Sequence, residues 1–144
     1  MQNDNSKLQI IIRLIPGITF LLEGIQKFLY VDQLGVGRFL NFGIPHAIFW
    51  SPFVGVVEIV FGTLLVLGLK TKLSTIPLLI VMIVAFIYTK RPILVSKGFF
   101  PMFHEYRTDY AMTLSLVYLL IAGGGFYSLD HFLFRKKNEQ IISK

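Results

Sequence analysis

Four apolar stretches, over residues 8–30, 52–69, 73–88 and 106–122, punctuate the chain, and each comes near the ~20 residues that a helix needs to cross a bilayer. Lipid offers no partner to an unpaired backbone N–H or C=O, so all four are expected to be α-helical. The fold class that follows is all-α, an integral membrane four-helix bundle. Composition agrees: 54% of the residues are hydrophobic, 15% are aromatic with fourteen Phe, and only 15% are charged, fewer than a soluble domain carries. The 144 residues read as one domain, 1–144, because no polar segment is long enough to bury a core of its own.

The first stretch is read as part of the mature protein. Arg13, Glu23 and Lys27 interrupt it, and no small-residue cleavage site follows. Gly and Pro mark loops over residues 39–45 and 92–101, while Gly68, Leu69, Lys70, Thr71 and Lys72 form a tight turn between the second and third helices. The run Gly123, Gly124, Gly125 ends the fourth helix, and the polar tail over 135–144 is expected to fray.

The net charge of +6 does not point to nucleic acid, because the basic residues sit at helix ends and in loops, with one small cluster at Arg135, Lys136 and Lys137. Topology accounts for them. With four crossings both termini share a side, which then holds Lys7, Lys70, Lys72, Arg135, Lys136, Lys137 and Lys144 against Arg38, Lys90, Arg91 and Lys97 opposite. Termini in the cytoplasm, in the inner (plasma) membrane, is the orientation this bias favours. Zero cysteines remove thiol–disulfide chemistry, c-type haem attachment and Cys-held iron–sulfur clusters.

Charge inside the apolar stretches is the strongest functional signal. Glu58 lies in the middle of the run 52–69, flanked on its own helical face by Gly55 and Gly62, and a carboxylate in hydrocarbon is costly unless it meets a partner or a water-filled cavity. On the first helix Arg13, Gly17, Phe20, Gly24 and Lys27 fall on one narrow face, with Glu23 one turn before Lys27. That face is expected to point inward. If the first two helices are antiparallel neighbours, counting from their joined ends puts Glu58 at about the level of Gly24, and Lys27 between Glu23 and Glu58. The fourth helix enters from the same side with His104, Glu105, Tyr106, Arg107 and Asp109, so the half of the bundle away from the termini gathers most of the buried charge. On the other side Arg13 and Asp130 are the remaining natural pair.

Two readings of the cluster Glu58, Lys27, Glu23, Glu105, Arg107, Asp109 and His104 stand side by side. It can be a structural ion-pair network that sets helix register, or a polar site for a quinone-like headgroup, a proton path or a small solute. His104 and His46 lack a paired spacing such as H-x3-H on one helix, which disfavours haem and metal and suits a loop or interfacial role; His131 is weaker still. The Phe and Tyr stripes suit core, lipid-facing surface and interfacial belt, with Trp50 and Tyr30 at the membrane boundary. No nucleophile–base arrangement, phosphate loop or metal signature is present in the sequence.

The residues Arg13-Leu14, Gly17, Phe20-Leu21, Gly24 and Lys27-Phe28, then Val57-Glu58-Ile59, Gly62, Leu65 and Leu67-Gly68-Leu69, then His104-Glu105-Tyr106, and finally Gly123–Gly125 with Phe126-Tyr127-Ser128-Leu129-Asp130 resemble the DoxX family of small bacterial and archaeal membrane proteins. The resemblance covers nearly the whole chain. It implies a four-helix membrane bundle whose relatives are linked to terminal quinol oxidase, thiosulfate:quinone oxidoreductase and membrane oxidoreductase complexes. It brings no catalytic residue set, and some similar bundles act as chaperones or assembly factors, so family membership alone does not separate enzyme from scaffold. Lack of cysteine sets the chain apart from the thiol–quinone chemistry of similarly shaped vitamin K epoxide reductase-like bundles. The expectation is an accessory or quinone-interacting subunit of a membrane redox complex, with quinone as the ligand and the bilayer, oxidoreductase subunits or a second copy as partners. A non-catalytic scaffold or assembly factor is the alternative, and a small-solute permease the third.

Overall fold

A computed structural model describes residues 2–133, with side chains from residue 9 onward. The polar tail, including Arg135, Lys136, Lys137 and Lys144, lies outside the described residues. Helix α1 spans Gln2–Leu29, the short α2 Val36–Asn41, and α3 Ala47–Leu67; α4 spans Thr71–Ala85 and runs through a π-helical turn, Phe86–Lys90, into α5, Arg91–Lys97; α6 spans Phe99–Ala122. Among the described residues there is no strand. Around the bundle α1 packs on α3, α3 on α4, α4 on α6, and α6 back on α1.

The protein is an all-α membrane bundle. Three helical stretches are long and apolar enough to cross a bilayer: Gln9–Leu29, Ala47–Leu67 and Thr71–Lys97. Helix α6, at 24 residues, is long enough, but His104, Glu105, Arg107 and Asp109 dilute its first half. It nonetheless packs in the bundle with the other three. Exposed aliphatic residues form outward stripes at helical spacing, such as Ile11, Ile15, Ile18, Leu22 and Ile25 on α1. Opposite that stripe, Arg13, Pro16, Gly17, Phe20 and Gly24 are buried. Each long helix contributes to one apolar core, in which Phe20 of α1 and Leu65 of α3 meet Leu78 and Met82 of α4 and Met112, Leu116 and Leu119 of α6.

Several element boundaries depart from the sequence expectation. Helix α3 starts at Ala47, before Pro52. Part of the 39–45 loop is helical, since α2 extends to Asn41. Nearly all of the 92–101 loop is helical too. Its Pro92 falls in the first turn of α5, directly after the π-helical turn, and only Gly98, with φ of 88°, separates α5 from α6.

Four glycines hold α1 against α3. A Cβ on Gly24 would stand 2.6 Å from the Gly55 carbonyl oxygen, and one on Gly62 would stand 2.8 Å from the Leu21 amide nitrogen and 2.9 Å from the Gly17 carbonyl oxygen. The helices therefore touch backbone to backbone, with Gly17 against Gly62 and Gly24 against Gly55. In lipid, where apolar surface gains little from leaving its solvent, such close van der Waals packing supplies much of the association.

Arg13 and Asp130 do not form the expected pair. The buried Arg13 guanidinium donates from Nη1 to the Gly124 carbonyl at 3.0 Å and from Nη2 to the Tyr127 carbonyl at 3.4 Å. The Asp130 carboxylate instead accepts the Lys70 N–H at 2.6 Å and the Thr71 N–H at 2.9 Å. Lys70, with φ of 47°, is the residue before α4 and has no side-chain oxygen with which to cap it. Asp130 therefore supplies the cap from a distant segment, satisfying orphan N–H groups and placing negative charge at a helix N-terminus. The Asp130 N–H in turn donates to the Gly68 carbonyl at 3.0 Å. Arg13 thus ties the segment after Gly123 to α1, and Asp130 ties it to the α3–α4 turn.

Candidate functional site

The glycine register sets the depth of Glu58. With Gly24 facing Gly55 and Gly17 facing Gly62, Glu58 stands about level with Leu21, one turn deeper than the level of Gly24. Lys27 stands about level with Pro52, roughly 9 Å away along the axis at 1.5 Å per residue. They meet because Cα–Cβ bonds tilt toward the N-terminus of their own helix. In antiparallel neighbours these tilts converge, and the long lysine stem covers the remainder. Lys27 Nζ lies 2.6 Å from Glu58 Oε2 and 3.9 Å from Glu23 Oε2, and donates to the Glu23 carbonyl at 3.4 Å. The expected order Glu23, Lys27, Glu58 is present. Exposure falls inward along it, from 42% for the Glu23 side chain to 9% for Lys27 and 5% for Glu58.

The three residues line a cavity of about 520 Å³ at the end of the bundle away from the α3–α4 turn. On the α1/α3 wall Phe20, Trp50, Phe53 and Val54 surround the ion pair. Phe49, Trp50 and Phe53 stack edge and face, with ring centroids 5.2–6.0 Å apart, which is the favourable range for aromatic pairs. Over the mouth lies the segment joining α1 to α3, which contributes Arg38, Phe39 and Phe42 from α2 and its cap; the Arg38 guanidinium sits 5.9 Å from the Phe42 ring centre.

The facing wall comes from the π-helical turn and α6. Tyr88, Thr89 and Lys90 line it together with Asp109. Pro92 has no N–H to give the Tyr88 carbonyl, and its ring would crowd that carbonyl in a regular helix. The backbone relaxes into a wider turn, in which the Arg91 N–H donates to the Phe86 carbonyl five residues back. Lys90 Nζ lies 3.4 Å from Asp109 Oδ2 and donates to the Glu105 carbonyl at 2.9 Å.

Of the expected cluster, then, Glu58, Lys27, Glu23 and Asp109 share one cavity. The other members do not join it. His104, Glu105 and Arg107 are exposed; the Arg107 side chain folds back on the His104 carbonyl at 2.7 Å, and Glu105 takes part through its backbone alone. Helical phase separates His104 and Arg107 from Asp109, whereas Glu105 lies one turn before Asp109 on the same face, with its side chain exposed and only its carbonyl reaching Lys90. His46 is exposed before α3 with φ of 53°, and His131 is exposed with its ring 4.3 Å from that of Phe126. Among the described residues no three His, Cys, Asp or Glu side chains gather to hold a metal. The sequence pattern marks Lys90 and Arg38 only as topology charges, and Trp50 only as a boundary residue. Pro92 was the available signal for Lys90, since a proline behind an apolar helix displaces the turn before it.

Chemically the cavity offers two ammonium groups, one guanidinium, three carboxylates and aromatic walls. Glu58 Oε2 is taken by Lys27, while Oε1 carries no hydrogen bond among the described residues. A model of the DoxX family matches residues 8–91, from α1 through the π-helical turn. The chain belongs to the DoxX family. It is 50% identical over 133 residues to the uncharacterized membrane protein Rv3486 of Mycobacterium tuberculosis, covering 88% of this chain and 82% of the relative. It is 27% identical to a Bacillus subtilis protein named "Putative oxidoreductase CatD", covering 93% and 92% of the two chains. An uncharacterized protein of Haemophilus influenzae is 29% identical over 87% of this chain and 90% of its own. No solved structure matches the chain.

Proposed function

We propose that this DoxX protein binds the headgroup of a membrane quinone in the cavity beside Glu58 and serves as an accessory subunit of a membrane redox complex. The observation that carries this reading is the cavity itself: aromatic walls at one end of a membrane bundle, with the Lys27–Glu58 pair as its buried polar contact. A flat, mostly apolar ring with polar oxygens suits such a lining, because aromatic faces take the ring and a few fixed polar groups orient it. Lys27 is placed to donate a hydrogen bond to a ring oxygen. Glu58, through Oε1, is placed to accept a hydroxyl proton, and the graded exposure from Glu58 to Glu23 gives that proton a direction toward solvent. The electron chemistry belongs to the quinone and to a redox partner. The naming of the Bacillus subtilis relative as an oxidoreductase lends support at the level of family.

Purification in mild detergent, followed by lipid extraction and mass analysis, tests the reading: quinone retained in amounts comparable to the protein supports it. A stoichiometric protein partner with no quinone would favour the scaffold instead. That second reading draws on the same ion pair, since a buried Lys27–Glu58 contact together with the glycine-packed α1–α3 interface also sets helix register. The permease reading gains least, because fully buried Leu65, Leu78, Leu116 and Leu119 fill the bundle between the cavity and the α3–α4 turn.

A further inference from the structure

The π-helical turn before Pro92 leaves Lys90 facing the cavity beside Asp109, with side chains 12% and 31% exposed. Tyr88 and Thr89 of the same turn line the same wall, and the Thr89 hydroxyl is held by the Ala85 carbonyl at 2.7 Å. This wall stands across the cavity from Lys27 and Glu58, because α4 and α6 close the bundle opposite α1 and α3. Each pair couples an ammonium donor to a carboxylate acceptor, so each can donate to a carbonyl oxygen or accept from a hydroxyl. A ring with one polar edge satisfies a single pair and turns bare carbon to the other. A ring with oxygens on opposite edges satisfies both.

We propose that Lys90 and Asp109 form the second polar contact of the cavity, and that the two ion pairs together select rings bearing oxygens on opposite edges over rings bearing one. The proposal rests on the reading that the cavity takes a quinone-type headgroup. A merely structural Lys90–Asp109 pair would tie the π-helical turn to α6 and affect stability, yet it would not discriminate between ligands. Discrimination is therefore the informative readout.

Trp50 is the single tryptophan of the chain and lines the cavity, so its fluorescence reports occupancy. The full-length protein in detergent is titrated with a decyl-substituted 1,4-benzoquinone, and 4-decylphenol is measured by its displacement of that quinone. Wild type is expected to prefer the two-oxygen ring. The double variant Lys90→Leu/Asp109→Leu removes the pair without stranding either charge, and is expected to lose about tenfold or more in quinone affinity, the scale of a hydrogen bond to a charged group, while its phenol affinity changes by less than about twofold. Lys90→Arg keeps the donor and should keep the preference. Lys90→Gln is read by the same ratio, so the test survives a double variant that fails to fold. An unchanged preference in these variants, or equal loss for both rings, overturns the proposal while leaving the headgroup reading intact. Failure of the quinone to bind wild type overturns the headgroup reading, and this proposal with it.

Discussion

Lys27 and Glu58 meet at 2.6 Å across two helices whose backbones are held in contact by glycines, so the ion pair and the helix packing depend on one another. The glycines fix the register that brings the two side chains within reach, and the pair holds that register in a medium where a lone carboxylate is costly. A substitution at either level is felt at the other.

Truncation of one partner of a buried pair leaves the other charge uncompensated, at a cost of about 3–5 kcal/mol. Glu58→Ala is thus expected to lower the melting temperature in detergent, or the yield of folded protein, far more than the lipid-facing Ile83→Ala, whose side chain is 59% exposed. Equal effects of the two changes would contradict the placement of Glu58.

At the α1–α3 contact, Gly24→Leu must push a side chain into space where even a Cβ stands 2.6 Å from a backbone oxygen. Overpacking costs about 1–3 kcal/mol, and the helices can relieve it only by separating. The predicted result is a lower melting temperature together with weaker quinone retention, as the register of Lys27 and Glu58 shifts. Val60→Leu on the outward face of α3 should leave both near wild type.

Asp130 caps α4 from a distant segment, so Asp130→Ala should destabilise the protein by about 1–2 kcal/mol, the scale of a lost N-cap. Asp130→Asn keeps one acceptor oxygen and should recover much of the loss. Because this cap lies at the far end from the cavity, neither change should alter quinone affinity in the folded fraction. A selective loss of affinity would show that the two ends of the bundle are coupled.

Four crossings with both termini on the cytoplasmic side is the topology expected from the basic residues. Reporter fusions after Lys144 and at Lys97 should then give opposite sides. The same side for both would mean that α6 lies along the surface rather than through the bilayer.

The Lys27–Glu58 pair was legible in the sequence because it follows from two local rules, the helical period that aligns Gly17, Gly24 and Lys27 and the antiparallel return of the next helix. Its depth was misjudged by one turn. Helix ends are a poor ruler, and the facing glycines are a better one. Lys90 was harder to read, since a π-helical turn breaks the 3.6-residue phase that a pattern search assumes, and Pro92 is its one local signal. His104 and Arg107 were grouped with Asp109 by sequence proximity, although the helix sends them to other faces, while Glu105 shares the face of Asp109 but its side chain is exposed. The cap by Asp130 joins segments nearly sixty residues apart, a pairing that no local pattern encodes.

On the proposed reading the Glu58 carboxylate serves a quinone headgroup as well as the packing of the bundle. Glu58→Gln keeps the shape and the hydrogen-bonding capacity of the side chain and removes its charge. The direct measurement is the quinone content and quinol-dependent activity of membranes carrying wild type or Glu58→Gln, each normalised to folded protein. The account predicts that Glu58→Gln folds yet loses most of its quinone and its activity; wild-type content and activity alongside a clear loss of stability would contradict it and leave the pair as a register-setting contact alone.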